Sequence, residues 1–537
     1  MSEAPSSKPR RIAGVTVPLF SLRSARSWGI GEIGDLPDFA AFARGAGLRL
    51  VQILPLGEIS GGETSPYSAL SAFGIDPMFL SMASLPDLED DAAGLGEAGA
   101  LLLARARASV TVDYEAVRAL KREAIGRAFR RFREHELANN TARAQELAAF
   151  RVAHRDWLDD YALFRALKDA HGGGAWWDWS LPLQRRDPAA LAEAAARLDD
   201  GILAHVYTQW IAHAQWAEAR AHLASIGVEI MGDLPFMVGR DSSDVWAHQE
   251  EFRNECSVGC PPDAFSEEGQ EWGLPPYHWE RMRANGYAWL HRRARYTASL
   301  YDRFRIDHLV GFYRTYMRPV AGLRDAKGRL AKGAFDPAEE PAQLAHGERV
   351  IGAMLEGARG AGAQLIAEDL GVIPDFVRRS LTSLGVPGYK VLIWEKDGLV
   401  FRDPAKFPAI SLACFGTHDT DPVAVWWEAL PDAEREAVKK LPLLAPHARE
   451  LGAAFTPEVH RALVTQICAA GSELVLFLLQ DVLGTRDRIN TPGTTGVANW
   501  TYRLPAPVEE LARDRRVAAA MAMVRERLDQ SGRSSAP

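Results

Sequence analysis

Short apolar runs recur along the chain, separated by stretches whose apolar residues repeat every three to four positions. The runs are Val15–Leu19, Leu50–Leu54, Val228–Gly232, Phe304–Asp307, Gln364–Ala367, Lys390–Trp394, Ile410–Phe415 and Leu474–Leu479. Several are close to continuously apolar rather than alternating, as a strand must be when both its faces are covered. The intervening patterns are helical, as over Ala342–Ala358 and Pro457–Ala469. Strands alternating with helices predict an α/β protein with a parallel sheet. Periodicity alone leaves a closed barrel and an open sheet equally open.

One block breaks the rhythm. From about Ala92 to Leu223 the pattern is mainly helical, rich in Leu, Ala, Arg and Glu, with a long charged stretch over Ala116–His154. It reads as a helical insertion. A helix is predicted over about Val508–Leu528, which leaves no room for a separate β-domain at the C-terminus. Residues 1–11 and 530–537 read as polar tails.

Composition narrows the function classes. The 537 residues are 47% hydrophobic and 25% charged, ordinary for a globular protein. Lys+Arg 62 against Asp+Glu 70 gives a net charge of −8, so no nucleic-acid or anionic-membrane partner is expected on charge grounds. No run approaches the length of a membrane span, and the first eleven residues lack the apolar core of a signal peptide. A cytoplasmic location is the expectation. Four cysteines, Cys256, Cys260, Cys414 and Cys468, make neither a disulfide framework nor a zinc tetrahedron, and no metal is expected. Gly29, Gly31 and Gly34 spell G-x-G-x-x-G, the pattern that would point to a nicotinamide oxidoreductase. The polar segment Ser21–Trp28 precedes them where a dinucleotide site needs a strand, so they read as a structural turn and no cofactor is expected.

The ends of the apolar runs carry acids. Asp233, Asp307, Glu368 with Asp369, and Asp419 beside His418 each stand at or just beyond the C-terminal end of a predicted strand. In parallel α/β folds these ends converge on the active site. A single acid there commonly caps the next helix; four such ends favour chemistry. Converging carboxyls without a metal motif suit cleavage of a glycosidic bond, where one protonates the leaving oxygen and another attacks or activates water. Arg305 lies two residues before Asp307, so on a strand both face one side, and the guanidinium would favour an ionised Asp307.

Aromatic supply fits a sugar ligand, with 15 Trp, 12 Tyr and 21 Phe in the chain. The segment Gly259–Trp279, GCPPDAFSEEGQEWGLPPYHW, holds Phe265, Trp272, Tyr277 and Trp279 between stiffening prolines. It reads as a binding lid rather than a connector.

At these residues the chain resembles the 4-α-glucanotransferases (amylomaltases, or disproportionating enzymes) of glycoside hydrolase family 77, related to the α-amylase clan. The resemblance runs in order from about Pro18 to Arg503: GIGEIGD (Gly29–Asp35), QILPLG (Gln52–Gly57), SPYSALSAF (Ser65–Phe73), GDLPF (Gly232–Phe236), the Gly259–Trp279 segment, RIDH (Arg305–His308), AEDLG (Ala367–Gly371), GTHD (Gly416–Asp419) and NTPGTTGVANW (Asn490–Trp500). It implies a (β/α)8 TIM barrel over about 12–529, with helical insertions and no C-terminal β-sandwich. It implies Asp307 as nucleophile, Glu368 as general acid/base and Asp419 as the third acid, which stabilises the transition state. Arg305 and His418 would flank them, with Asp233 near. Tyr67, Phe265, Gln270, Trp272 and Asn490 would line the glucan path.

The implied reaction is a retaining transfer of α-1,4-glucan segments from a maltodextrin donor to glucose or another glucan. Retention would set the carboxyls of Asp307 and Glu368 roughly 5–5.5 Å apart, against roughly 6.5–9.5 Å for inversion. An α-amylase-like hydrolase using the same acids, or a non-catalytic glucan-binding protein, are the alternatives. Two segments depart from the family pattern. Ala264 stands where many members have an aromatic before Phe265, and T-H-D-T-D-P (Thr417–Pro422) replaces T-H-D-N-D-T.

Overall fold

The computed structural model describes residues 11–88, 93–262, 267–494, 496 and 498–534. Each of the eight apolar runs contributes one strand: β1 (Ile12–Thr16), β2 (Leu50–Gln52), β3 (Glu229–Leu234), β4 (Arg303–Ile306), β5 (Gln364–Ala367), β6 (Gly388–Val391), β7 (Ser411–Cys414) and β8 (Leu474–Leu478). They pair in chain order, all parallel, and β8 closes onto β1. The fold is therefore a (β/α)8 barrel.

Two strands begin two or more residues earlier than the apolar pattern places them. β1 starts at Ile12 rather than Val15, and Leu19 lies in a 3₁₀ turn. Gly14 gives the pattern of a break there, yet a Cβ at Gly14 would meet the Leu50 Cβ at 2.7 Å, so it is a packing glycine inside the strand. β6 starts at Gly388 rather than Lys390, and Trp394 falls in the turn beyond it, half-exposed.

Inside the barrel, Ile12, Leu50, Met231, Ile366, Leu412 and Leu474 lie in one apolar cluster with Tyr389 and Leu476. Side chains alternate along a strand. The alternation that puts Leu50 and Met231 in this plug puts Gln52 and Asp233 one layer nearer the C-terminal strand ends. The interior thus turns polar toward that face, where the Thr16 hydroxyl donates to Gln52 Oε1 at 2.7 Å.

Between β2 and β3 the chain runs through helices, including Gly96–Ala108, Tyr114–Phe132, Ala142–Ala153, Arg155–Ala170 and Asp199–Ser225. A buried lysine fastens them to the barrel: Lys121 Nζ meets Glu32 Oε1 at 2.7 Å and the carbonyls of Met78 and Leu80 at 2.6 and 2.7 Å. With every ammonium proton accounted for, the buried charge is tolerated. The G-x-G-x-x-G segment packs tightly against this junction. A Cβ at Gly31 would lie 1.9 Å from the Leu19 carbonyl, and Gly29, at φ +86°, abuts Ala106.

A second sheet stands beyond the C-terminal ends of β3 and β4. Its antiparallel strands are Gln270–Glu271, Cys256–Cys260, Thr315–Pro319 and Ala334–Asp336, in that order. Part of the segment read as a lid is therefore pleated structure. Among the described residues no strand follows Leu478, and none of the helices is long and apolar enough to cross a membrane.

The C-terminal helix is interrupted near Ala512; the second part, Arg515–Gln530, starts at an Asp514 cap whose carboxylate accepts from Arg516 N and Val517 N. Within the stretch read as a polar tail, Arg533 is fully buried. Its guanidinium bonds the carbonyls of Cys468, Ala470 and Ser472 at the foot of β8. Arg11 binds the Ala470 carbonyl from the other terminus.

Candidate active site

The register of the barrel builds the centre of the site. Asp233 on β3 lies directly opposite Arg305 on β4. Nε donates to Oδ1 at 2.9 Å, Nη2 forms an ion pair with Oδ2 at 2.9 Å, and Arg305 is buried. A buried guanidinium needs this geometry to offset its lost hydration. Nη2 of Arg305 also bonds Asp307 Oδ1 at 2.6 Å and the Tyr67 hydroxyl at 3.0 Å. Arg305 thereby joins two acids and a phenol.

Tyr67 donates its single proton to Asp233 Oδ2 at 2.7 Å. His418 Nε2 lies 3.0 Å from the same phenolic oxygen, so the imidazole must donate there through Nε2–H. Burial lowers the His418 pKa, which keeps the ring neutral and consistent with that tautomer. Tyr67, His418 and Trp500 pack ring against ring, with centroids 5.7–5.8 Å apart.

Asp307 and Glu368 stand just past the ends of adjacent strands, β4 and β5. Burial pushes the Asp307 carboxyl up to about 7, with Arg305 and the Phe236 N–H opposing and Asp233 and Asp419 adding to the rise. The ionised Asp307 expected from its Arg305 neighbour is thus only partly secured: burial outweighs the guanidinium. Glu368 rises further, to about 8, again chiefly by burial. Asp307 takes a direct hydrogen bond from Arg305, whereas the hydrogen bond to Glu368 is a neutral one from the His308 N–H at 2.7 Å. That contrast orders the two acids.

His308 has a left-handed backbone, φ 44°, rare for a residue with a side chain. The chain turns sharply there, aiming the His308 N–H at Glu368 while Asp307 faces the cleft. Such conformations persist where surrounding structure imposes them. Here the Trp272 ring meets the His308 ring edge-on at 5.0 Å, and Phe236 does so at 5.3 Å.

Asp419 is fixed from the segment after β8. Asn490 Nδ2 donates to its Oδ1 at 2.6 Å, and His418 Nε2 lies 3.4 Å from Oδ2. Arg488 bonds the Asp419 carbonyl at 2.8 Å, the Asn490 carbonyl at 2.7 Å and Asp421 Oδ1 at 2.7 Å. Thr420, one of the two altered positions in the T-H-D segment, closes its own turn through Thr417 N and the Thr417 carbonyl.

A cavity of about 280 Å³ opens beside these groups, lined by Tyr67, Phe236, Trp272 and Asp307 among others. Gln270 stands next to it, its Oε1 accepting from Trp272 Nε1 at 3.1 Å. Phe265 and its neighbour Ala264 lie outside the described residues. Asp369, the remaining strand-end acid, does not join the cluster; its Oδ1 accepts from Tyr389 N at 2.7 Å and ties β5 to β6. Sequence reasoning missed Phe236, Arg488 and Trp500 as site residues. All three lie in or beside motifs singled out for other residues, so the signal was present. The left-handed turn at His308 leaves no mark in the sequence.

A parallel barrel that collects carboxyls at its C-terminal strand ends, beside an aromatic-walled cavity, is the arrangement of an enzyme acting on glycosidic bonds. Residues 17–509 match the family profile for 4-alpha-glucanotransferases, glycoside hydrolase family 77. The chain is 33% identical over 497 residues to the 4-alpha-glucanotransferase of Thermus thermophilus, spanning 89% of this chain and 92% of that one. It is 34% identical over 508 residues to that of a Synechocystis species, spanning 92% and 94%. Among solved structures it is similar to the amylomaltase from Streptococcus agalactiae in complex with acarbose, with a TM-score of 0.80, 26% identity and coverage of 98% and 100%. The chain belongs to the 4-alpha-glucanotransferases of glycoside hydrolase family 77.

Proposed function

We propose that this chain transfers segments of α-1,4-glucans by a retaining double displacement, with Asp307 as nucleophile, Glu368 as general acid/base and Asp419 as the third acid. The observation that carries the assignment is the unequal treatment of two neighbouring carboxyls. Only Asp307 is bonded to the Arg305 guanidinium, whereas Glu368, raised chiefly by burial, takes its hydrogen bond from the neutral His308 N–H. Two carboxyls set in different environments divide into nucleophile and acid.

In the first step Asp307 attacks the anomeric carbon while Glu368 gives its proton to the departing glycosidic oxygen. The reducing-end piece leaves, and a covalent glycosyl ester forms on Asp307. Glu368, now ionised, takes the proton from the 4-hydroxyl of an acceptor glucose or dextrin. That oxygen attacks the anomeric carbon, and the Asp307 ester bond breaks. Asp419, held by Asn490 and beside His418, presents its carboxylate to the hydroxyls of the distorted sugar as positive charge grows on the ring. Tyr67 and Arg305 fix the nucleophile. Trp272 and Phe236 form apolar walls on which sugar faces pack, and an acceptor seated against them displaces water.

Activity is expected to follow a bell-shaped pH profile. The acid limb rises as Asp307 ionises near about 7, and the basic limb falls as Glu368 loses its proton near about 8. Because the two groups interact, the limbs are properties of the pair. Initial rates with maltotriose between pH 5 and 10 check this. A flat profile across that range would contradict the assignment.

The test of function is incubation with maltotriose, separating products by length and counting reducing ends. Transfer yields glucose and a ladder of longer maltooligosaccharides at constant reducing ends. Rising reducing ends without a ladder would mean hydrolysis, and unchanged maltotriose would remove the catalytic reading.

A further inference from the structure

Arg318 lies outside the carboxylate cluster, on the second sheet, and its side chain is almost wholly buried at 1% exposure. It spends its donors on backbone. Nη1 bonds the Gln270 carbonyl at 2.6 Å, Nε the Ala331 carbonyl at 2.8 Å, and Nη2 the carbonyls of Glu268 and Cys260 at 3.1 and 3.3 Å. The guanidinium also stacks on Tyr316, 4.9 Å from the ring centre. Cys260 and Gln270 are paired across an antiparallel bridge, and one cation therefore grips both limbs of that hairpin.

The backbone is shaped around this cation. A Cβ at Gly259 would lie 1.9 Å from the Gln270 carbonyl and 2.9 Å from Arg318 Nη1. One at Gly269, where φ is +73°, would lie 2.3 Å from the Cys260 carbonyl and 2.9 Å from Nη2. Two glycines bring the limbs close enough to share the guanidinium.

What the grip holds is the cleft wall. Gln270, whose carbonyl Arg318 holds, accepts through Oε1 from Trp272 Nε1. The Trp272 N–H bonds the Val258 carbonyl at 2.9 Å in the facing limb. The Trp272 ring then meets the His308 ring edge-on, and the His308 N–H bonds Glu368. Contacts run without a gap from Arg318 to the carboxyl that moves the proton.

We propose that Arg318 is a positioning residue that sets the Gln270–Trp272 wall, and through it the seat of the acceptor sugar beside Glu368. The proposal rests on the transfer reading above. Lysine keeps the charge but not the planar fork, so Arg318→Lys reaches fewer of the four carbonyls. The wall then loosens while Asp307 and Arg305, on the barrel strand, stay in place.

The test uses the full chain with α-maltotriosyl fluoride as donor, whose leaving group needs no proton, and glucose as acceptor. In Arg318→Lys and Arg318→Met, fluoride release without acceptor is expected to stay within about threefold of the parent. The KM for glucose is expected to rise about tenfold or more, as loss of charge-assisted hydrogen bonds implies, and the transfer-to-hydrolysis ratio to fall in parallel. Gly259→Ala, whose Cβ would clash with the Gln270 carbonyl and crowd Arg318 Nη1, leaves the arginine itself in the chain and is expected to reproduce the split. Unchanged glucose KM and unchanged partition in all three variants would overturn the proposal. So would parallel loss of fluoride release and transfer, which would make Arg318 a support of the whole fold. If the parent protein transfers nothing to glucose, the transfer reading itself fails, a separate outcome visible in the control.

Discussion

Asp307→Asn is expected to lower kcat/KM for maltotriose by on the order of 10⁴-fold or more, the scale seen when a member of a covalent catalytic set is removed. The amide has nearly the size of the carboxyl and cannot form the glycosyl ester. The fold should survive, because Arg305 keeps its hydrogen bond and ion pair with Asp233 and its bond to Tyr67. Stability gives an independent check of sign. Burial raises the folded-state pKa of Asp307 above its unfolded value, so ionisation costs the folded state stability at any pH above the unfolded value. At pH 8 the neutral amide removes that cost, and Tm should be no lower than in the parent. Near-parent turnover would show that Asp307 is not the nucleophile, and a large fall in Tm at pH 8 would contradict the account of its environment.

Glu368→Gln is expected to cost about 10²–10⁴-fold on maltotriose, the usual range for a lost general acid. The loss on α-maltotriosyl fluoride should be much smaller for the glycosylation step, because fluoride departs unprotonated. The amide oxygen can still accept the His308 N–H, so geometry is kept. Azide needs no base to deprotonate it. Added azide should therefore restore turnover of the fluoride and give a glycosyl azide of retained configuration. Equal losses on both donors, with no azide effect, would remove Glu368 from the proton-transfer role.

The strands were legible because each is covered on both faces, which writes a short apolar block rather than an alternation. Leu474–Leu479 and Gln364–Ala367 show this most plainly. Closure of the strands into a barrel was implied only by the family resemblance. Boundaries slipped where a glycine inside a strand mimics a break, at Gly14 and Gly388. The second sheet was not legible. Its strands are short, carry Ser257, Gly259, Arg318 and Gln270, and sit between prolines, so their pattern is that of a loop. Arg533 misled for a related reason: a lone arginine near a terminus reads as solvated, and only the fold reveals carbonyls at the foot of β8 for it to bind.

Of the candidate site, the strand-end acids were legible because a parallel barrel sends every strand end to one face. Sequence spacing placed Arg305 beside Asp307 and Asp233 at a strand end, and the register of β3 on β4 paired Asp233 with Arg305. It could not weigh burial against charge, so it overstated how firmly Arg305 holds Asp307 ionised. Nor could it separate Glu368 from Asp369. They are adjacent in sequence, but one accepts the His308 N–H beside Asp307 and the other bonds a neighbouring strand.

The most direct test of the central claim is to trap the intermediate. Glu368→Gln is mixed with α-maltotriosyl fluoride, quenched in acid, digested and read by mass spectrometry. The double-displacement account predicts a maltotriosyl adduct on the peptide carrying Asp307, which decays when glucose or azide is added before the quench. An adduct on another residue, or consumption of the fluoride with inverted product and no adduct at any time, would contradict it.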